Sequence, residues 1–156
     1  MTALPFRVAA AAVLAAALAV PGVPALAQYQ QEIGNDPGQC RAGEGPAVRV
    51  TVNGVKSATG KVRAQIYRGT REDWLVSGRW LHRIEIPAKA GQMTFCLPVP
   101  KAGTYAVAVR HDANGNGKTD ITKDGGAMSN NPSINIFNLG KPAVSKTAFQ
   151  VGEGVT

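Results

Sequence analysis

The sequence has 156 residues, with 17 lysines and arginines against 10 aspartates and glutamates. This length favours one domain, large enough to bury a core without a metal ion or a partner, and it excludes a second domain of ordinary size. The basic residues are dispersed among the predicted strands and do not cluster with aromatic residues, which argues against nucleic-acid binding. A solvated basic surface is the simpler interpretation, although such a charge can also attract anionic polymers.

The N-terminus has the pattern of a secretory signal peptide. Arg7 precedes an apolar run over residues 8–20, and a Pro-Gly pair and the small-residue site Ala-Leu-Ala at residues 25–27 follow. The run is shorter than the roughly 20 apolar residues that a membrane-spanning helix needs. We therefore expect cleavage of residues 1–27, a mature chain that starts at Gln28 without a membrane span, and a periplasmic or secreted protein.

Residues 28–46 are rich in glycine, proline and polar side chains, and we expect them to form an extended lead-in to the domain. This segment contains Cys40, and the other cysteine of the sequence is Cys96. In an oxidising compartment a disulfide between them is the default expectation. The sequence has no Cys-x-x-Cys redox motif, and two lone cysteines cannot complete a structural zinc site.

Alternating apolar and polar residues predict the first two strands of the domain. The alternation runs over residues 47–53 and, after a turn at residues 57–60, over residues 62–67. A period of two is typical of a half-buried strand. We expect these two strands to pair with each other as a hairpin.

Residues 68–80 interrupt the alternation and contain both tryptophans, Trp74 and Trp80. We expect an irregular loop or a single helical turn that packs over the core, and a ligand platform is the alternative. Tyr105 resembles a tyrosine that closes a corner by hydrogen bonding to upstream backbone. Further strands are predicted at residues 81–86, 93–99, 105–110, 134–139 and 147–151.

These short strands predict an all-β domain over residues 47–156, an antiparallel β-sandwich of about seven strands. We expect an immunoglobulin-like or a transthyretin-like arrangement. No window of the sequence shows a sustained helical period, which argues against an α/β fold.

The loop after the strand at residues 105–110 has the pattern of a calcium-binding loop. Four side chains match ligand positions 1, 3, 5 and 9 of such a loop: Asp112, Asn114, Asn116 and Asp120. Gly117 matches the sharp turn, but Lys123 stands where an EF-hand has a bidentate glutamate. The sequence therefore predicts weak Ca²⁺ binding, with Asp124 as an additional carboxylate. The alternative is an Asn/Gly-rich turn whose side chains cap their own backbone.

With these strands and this loop, the sequence resembles the bacterial DUF2141 family over residues 48–152. The most specific part is residues 103–120, followed by residues 125–131 and 148–151. The resemblance implies a β-sandwich and export, and the family has no assigned function, so it brings no catalytic residues.

Three classes of function stay open. We expect a non-enzymatic module that binds a protein, a polymer or an envelope component through end loops, of which residues 111–131 are the longest candidate. The alternatives are a small hydrolase that uses His111 with Asp112 or Asp124, and a purely structural envelope protein. The sequence has neither a nucleophile elbow nor a His-Glu-x-x-His motif, which argues against an enzyme.

Overall fold

The computed structural model describes residues 28–120, 122–135 and 138–156. The predicted signal peptide, residues 1–27, lies outside the described residues. None of the helices in the described ranges is both long enough and apolar enough to cross a membrane.

The described chain is mostly β. Its strands are β1 Gln31–Glu32, β2 Ala47–Val55, β3 Lys61–Arg68, β4 Trp80–Pro87, β5 Gly91–Pro98, β6 Gly103–Asp112, β7 Gly125–Met128 and β8 Phe149–Val151. A 3-10 helix spans Pro37–Cys40, and the short helix α1 spans Val144–Thr147. The five strands β2 to β6 lie where apolar alternation predicts them. β1 and β7 are additional strands in segments that the sequence predicts to be a lead-in and a polar loop.

The strands form two sheets. The larger sheet has the order β1-β4-β3-β6-β7, and β8 pairs with the first residues of β6. The smaller sheet consists of β2 and β5. β1 runs parallel to β4, and the other strand pairs are antiparallel. The all-β prediction is confirmed, whereas the immunoglobulin-like or transthyretin-like sandwich stays a prediction.

The predicted hairpin between the first two long strands is wrong. β2 pairs with β5, while β3 pairs with β4 and β6. The turn at residues 57–60 therefore carries the chain from the smaller sheet to the larger one. Gly60 in this turn has a φ of +71°, and a Cβ at this position would lie 1.8 Å from the carbonyl oxygen of Asp112. Only glycine therefore fits in this turn so close to the end of β6.

The strand predicted over residues 134–139 is wrong for the part that the structure describes. Residues 134, 135, 138 and 139 are not in a strand, and residues 136–137 lie outside the described ranges. The backbone N–H of Asn135 donates to Oδ1 of Asn138, and the N–H of Asn138 donates to Oδ1 of Asn135. These side-chain oxygens accept hydrogen bonds from backbone N–H groups that would pair with a neighbouring strand if this segment were a strand.

The strand predicted over residues 147–151 is shorter than expected. It begins at Phe149, because Thr147 is the last residue of α1. The hydroxyl of Thr147 donates to the carbonyl oxygen of Val144, and the side chain is fully buried. Thr147 therefore belongs to a helical turn, although the residues that follow it alternate as in a strand.

Both sheets contribute to one hydrophobic core. Phe95 of β5 and Ile66 of β3 are fully buried in it. Tyr105 lies at its edge, and its hydroxyl donates to the carbonyl oxygen of Lys101 at 2.8 Å. The predicted tyrosine corner is thereby confirmed.

The stretch between β3 and β4 packs against the larger sheet through its tryptophans. Trp74 and Trp80 are both buried, and the ring of Trp74 meets the edge of Tyr67 with the centroids 5.4 Å apart. The indole N–H of Trp74 donates to the carbonyl oxygen of Pro142 at 2.8 Å. The packing interpretation of the two tryptophans is therefore confirmed, and the ligand-platform alternative is wrong because the rings are covered.

Cys40 and Cys96 form the predicted disulfide, with their Cα atoms 5.8 Å apart. Both cysteines are buried, next to Ala47 and the half-buried Val155. The bond joins the 3-10 helix of the lead-in to β5 of the smaller sheet. The lead-in is thus part of the folded domain.

Tyr29 holds the start of the lead-in. Its ring contacts the guanidinium groups of Arg68 and Arg79, whose central carbons lie 4.9 and 5.2 Å from the ring centroid. Its hydroxyl donates to the buried carboxylate of Asp73 at 3.1 Å. Each such cation–π contact contributes about 0.5–1 kcal/mol at exposed sites. Arg68 also donates to the side-chain oxygen of Gln28, so the arginine contacts two successive residues of the lead-in.

Candidate functional site

The predicted calcium loop leads from the end of β6 towards β7. Asp112 is the last residue of β6, and its side chain is buried. Oδ2 accepts the backbone N–H of Gly117 at 2.8 Å, and Oδ1 accepts that of Asn116 at 3.2 Å. Arg110 lies 3.5 Å from the same carboxylate. Asp112 therefore caps the backbone of the loop.

The other three predicted ligands meet at one oxygen atom. Nδ2 of Asn114 and Nδ2 of Asn116 donate to Oδ2 of Asp120, at 2.8 and 2.9 Å. The hydrogen bonds from Asn114 and then Asn116 hold the pKa of Asp120 below its ordinary value. The amide oxygens face the loop backbone, where they accept the N–H groups of Asn116 and Lys118.

Asp124 ties the two ends of the loop together. Its Oδ1 accepts the backbone N–H of Ala113 at 3.2 Å, and its Oδ2 accepts that of Asp120 at 2.9 Å. The position-by-position match to a calcium loop does not include this residue. The sequence indicates Asp124 only as an aspartate shortly beyond the last matched position, Asp120.

This arrangement differs from a set of converging metal ligands. In the part of the chain that the structure describes, no group of three or more His, Cys, Asp or Glu side chains could hold a metal ion. The predicted set has only two carboxylates and two amides, so Ca²⁺ binding stays a prediction. A cation beside Asp120 would require Asn114 and Asn116 to turn their amide oxygens towards it.

A cleft of about 640 Å³ opens between the smaller sheet and the larger one. A second depression, beside Glu32 and Arg83, is smaller, at about 200 Å³. The larger cleft is bounded by β2 on one side and by β6, β7, β8 and residues 129–131 on the other.

The cleft is lined by aliphatic side chains together with polar ones. Val50 and Val52 of β2 are half-buried and point inward, because they alternate with the exposed Thr51. Val107 and Met128 lie on the opposite side. Such a concave surface, apolar inside and polar at its rim, is typical of a ligand site.

The outer edge of β2 also borders the cleft. At its start, residues 154–156 run parallel to β2: the N–H of Ala47 donates to the Gly154 carbonyl, and the N–H of Arg49 donates to the Thr156 carbonyl. Within the described ranges, no backbone hydrogen bond reaches this edge beyond Arg49. The next outward-facing residue is Thr51.

The comparison with family models gives a match over residues 50–156, to a family described as "Uncharacterized protein conserved in bacteria (DUF2141)". The match spans more than half of the sequence. The chain belongs to the DUF2141 family. No curated protein and no solved structure matches it.

The two regions of interest in this DUF2141 protein lie almost entirely within the family match. The whole loop after β6 is inside it, and so is the cleft apart from Val48 and Arg49. Cys40 and the lead-in fall outside. The resemblance inferred from residues 103–131 is thereby confirmed, and the disulfide lies between a matched and an unmatched segment.

Each histidine of the DUF2141 chain contacts a backbone carbonyl. Nε2 of His111 donates to the Thr59 carbonyl at 2.8 Å, and Nδ1 of His82 donates to the Pro98 carbonyl at 2.7 Å. His111 is buried and holds the turn before β3. His111 and Asp112 are successive residues of β6, so their side chains point to opposite faces of the strand.

Proposed function

We propose that this DUF2141 protein is an exported, non-enzymatic module that binds a partner in the cleft beside β2. The observation that carries the proposal is the cleft itself, whose volume of about 640 Å³ lies within the range of roughly 300–1,000 Å³ that is typical of binding sites. Its apolar walls would supply affinity, and Asn130 and Asn131 at its rim would supply polar contacts. These rim residues belong to the polar stretch that the sequence predicts to be the binding region.

Export is supported by the pattern of the first 27 residues and by the disulfide. Disulfides persist in the periplasm and outside the cell and are rare in the cytosol. A binding role is favoured over the hydrolase alternative because His111 donates to a backbone carbonyl and Asp112 accepts loop N–H groups. A general base needs its nitrogen within reach of the proton that it abstracts.

An uncharged apolar fluorescent dye, N-phenyl-1-naphthylamine, tests whether the cleft takes a ligand. We expect dye binding by the folded chain and at least a severalfold weaker signal for Val52→Lys, because the ammonium group would lie in the apolar cleft. Thr94→Lys is the matched control. Thr94 is exposed on β5 and does not line the cleft, so this variant adds the same charge outside it. Equal fluorescence from the two variants would contradict the proposal.

We also propose weak Ca²⁺ binding by the loop after β6, through Asp112, Asn114, Asn116 and Asp120. The observation in its favour is the proximity of three of these side chains, since the amide groups of Asn114 and Asn116 lie within 2.8–2.9 Å of the Asp120 carboxylate. Alternating Asp and Asn residues on a tightly turned loop supply the oxygen ligands that Ca²⁺ prefers. With few carboxylates, the affinity would be in the range of about 10⁻⁴–10⁻³ M that extracellular modules show.

The calcium proposal predicts a higher melting temperature in millimolar Ca²⁺ than in chelator, since a ligand of the folded state stabilises it by mass action. Asp120→Asn should abolish the rise, because it removes the charge while keeping an oxygen for Asn114 and Asn116. Glu44→Gln removes one exposed carboxylate elsewhere and should keep the rise. Identical melting temperatures of the wild type in Ca²⁺ and chelator would show that the loop is only a turn.

A further inference from the structure

We propose that Asn114 is a site of spontaneous deamidation, where the loop after β6 exchanges a side-chain amide for a carboxylate. The proposal goes beyond the proposed function and does not depend on it, because it concerns the covalent chemistry of the loop itself. In the sequence, three asparagines precede a glycine: Asn53, Asn114 and Asn116. A glycine at the next position favours deamidation, since it has no Cβ to obstruct its own backbone nitrogen. The structure distinguishes the three sites.

The reaction needs water and no other partner. The backbone nitrogen of Gly115 loses its proton to hydroxide and forms a bond to Cγ of Asn114. The bond between Cγ and Nδ2 then breaks, and Nδ2 takes a proton from water and leaves as ammonia. A water molecule opens the cyclic imide at one of its carbonyls, which gives aspartate or isoaspartate. The proton on the glycine nitrogen must therefore be accessible to solvent.

The side chains of Asn114 and Asn116 make matching contacts. Each donates from Nδ2 to Oδ2 of Asp120, at 2.8 and 2.9 Å. Each accepts at Oδ1 the backbone N–H of the residue two positions further on, which is Asn116 in one case and Lys118 in the other. Both asparagines are exposed. The contacts of the side chains therefore do not separate the two sites.

The N–H groups of the following glycines do separate them. The N–H of Gly117 donates to Oδ2 of the buried Asp112 at 2.8 Å. The N–H of the exposed Gly115 makes no hydrogen bond to any residue in the described part of the chain. A carboxylate at the N–H of Gly117 opposes loss of the proton and holds the peptide plane, whereas water reaches the N–H of Gly115.

Backbone conformation and space do not account for the difference. Gly115 and Gly117 have similar φ values, +69° and +75°, and a Cβ at either position would meet nothing within 4 Å. The hydrogen bond to Asp112 is thus the feature that distinguishes the two sites. Asn114 is the reactive member of the pair.

Asn53 is held in the smaller sheet. It lies in β2, and its Oδ1 accepts a hydrogen bond from Nε2 of Gln92 on β5 at 2.8 Å. The pairing of β2 with β5 runs up to Val52 and resumes at Val55. Attack on the side chain requires the peptide plane after Asn53 to rotate, and the strand pairing on both sides resists this rotation. Asn53 should therefore react more slowly than Asn114.

Deamidation of Asn114 changes the charge beside Asp120. The group that leaves is Nδ2, which donates to the Asp120 carboxylate at 2.8 Å. The aspartate product lacks this donor and adds a like charge, and both changes disfavour the ionised form of Asp120. A cation between the two carboxylates would offset their repulsion, so the modified loop should attract Ca²⁺ more strongly than the unmodified one.

The experiment follows the three sites in one sample. The full chain, expressed for export, is incubated at mildly alkaline pH, and peptide mass spectrometry with fragmentation measures the deamidated fraction of each asparagine over time. A parallel sample in guanidinium chloride gives the rate of each site in the unfolded chain. We expect folding to slow Asn116 about tenfold or more relative to Asn114, since a hydrogen bond to a charged acceptor must break first. Asn53 should also be slowed relative to Asn114.

Two variants test the protection by Asp112, with the ratio of the Asn116 rate to the Asn114 rate as the readout. Asp112→Ala frees the N–H of Gly117 and should bring this ratio close to unity. Asp124→Ala is the matched control, because it also removes a carboxylate that accepts loop N–H groups but leaves the contact of Gly117 in place. Its ratio should stay that of the wild type.

The wild-type rates decide the proposal even if a variant does not fold. Equal folded-state rates at Asn114 and Asn116 would overturn it, as would a faster reaction at Asn53 than at Asn114. A folded chain that keeps all three amides while the unfolded chain loses them would overturn it too. None of these results bears on ligand binding in the cleft, so the proposed function is tested separately.

Discussion

The loop after β6 shows what single residues can and cannot predict. Spacing alone places Asn114, Asn116 and Asp120 in one loop, and the structure brings their side chains together. Spacing does not reveal that Asp112 and Asp124 bind backbone N–H groups. Those contacts depend on the path of the backbone through the two glycines of the loop, which both have positive φ. The proximity of Asn114, Asn116 and Asp120 was therefore predictable, whereas the backbone contacts of Asp112 and Asp124 were not.

The two asparagines should set the acidity of Asp120. The wild-type carboxyl should titrate below the ordinary range of aspartate, since Asn114 and Asn116 donate to its charged form. The double variant Asn114→Ala/Asn116→Ala should raise this pKa towards the ordinary value, whereas Asn130→Ala, outside the loop, should leave it unchanged. Carbon-detected NMR titration of the side chain measures the shift.

The sign of the stability effect follows from this direction. Because the folded-state pKa of Asp120 lies below the unfolded value, the contribution to stability is present above the unfolded pKa and is lost as pH falls through the folded one. The difference in stability between the wild type and the double variant should therefore shrink in acid. A difference that grows as the pH falls would contradict the assignment.

At the scale of strands, position was predictable and pairing was not. Apolar alternation locates β2 to β6 because each strand buries one face, and that property is local in sequence. The partner of β2 is β5, and that choice depends on contacts between residues far apart in the chain. β1 and β7 escaped prediction because a two-residue strand and a strand that begins with two glycines carry no period.

Two glycines offer a matched test of the turn between β2 and β3. Gly60 and Gly54 have similar positive φ values, +71° and +74°, but a Cβ would meet the Asp112 carbonyl only at Gly60. Both alanine variants carry the backbone strain, about 1–3 kcal/mol for a side chain in this region. Gly60→Ala should lower the free energy of unfolding further, because the turn must also move away from β6. Urea denaturation measures both, and equal losses would show that the close approach has no energetic role.

For the whole molecule, the sequence predicted a mostly β structure with one disulfide, and both features are present in the described residues. Length, composition and two cysteines are global properties, so they need no knowledge of pairing. The cleft was not predictable, because its walls come from β2, β6, β7 and β8, which meet only in the folded state. The disulfide closes a sequence separation of 56 residues across this assembly.

Removing the disulfide should destabilise the whole domain. In the chain-entropy model a loop of this size contributes about 4 kcal/mol, because the bond restricts the unfolded chain. The double variant Cys40→Ala/Cys96→Ala should therefore unfold at a markedly lower urea concentration than the wild type. Reduction of the wild-type protein should lower its unfolding midpoint similarly. Two free thiols in native protein recovered after export would contradict the prediction.

If the chain is exported as proposed, the contacts of Tyr29 with two arginines have a consequence for the order of cleavage and folding. If residues 1–27 are removed, Tyr29 is the second residue after the cut, and in the folded domain Arg68, Arg79 and Asp73 enclose it. Proteases act on exposed, mobile backbone. Cleavage after residue 27 would therefore occur before Tyr29 packs against these side chains, or after this corner unfolds locally. Under that proposal, docking of β1 against β4 would compete with cleavage, and a chain that folds this corner early would be cleaved later.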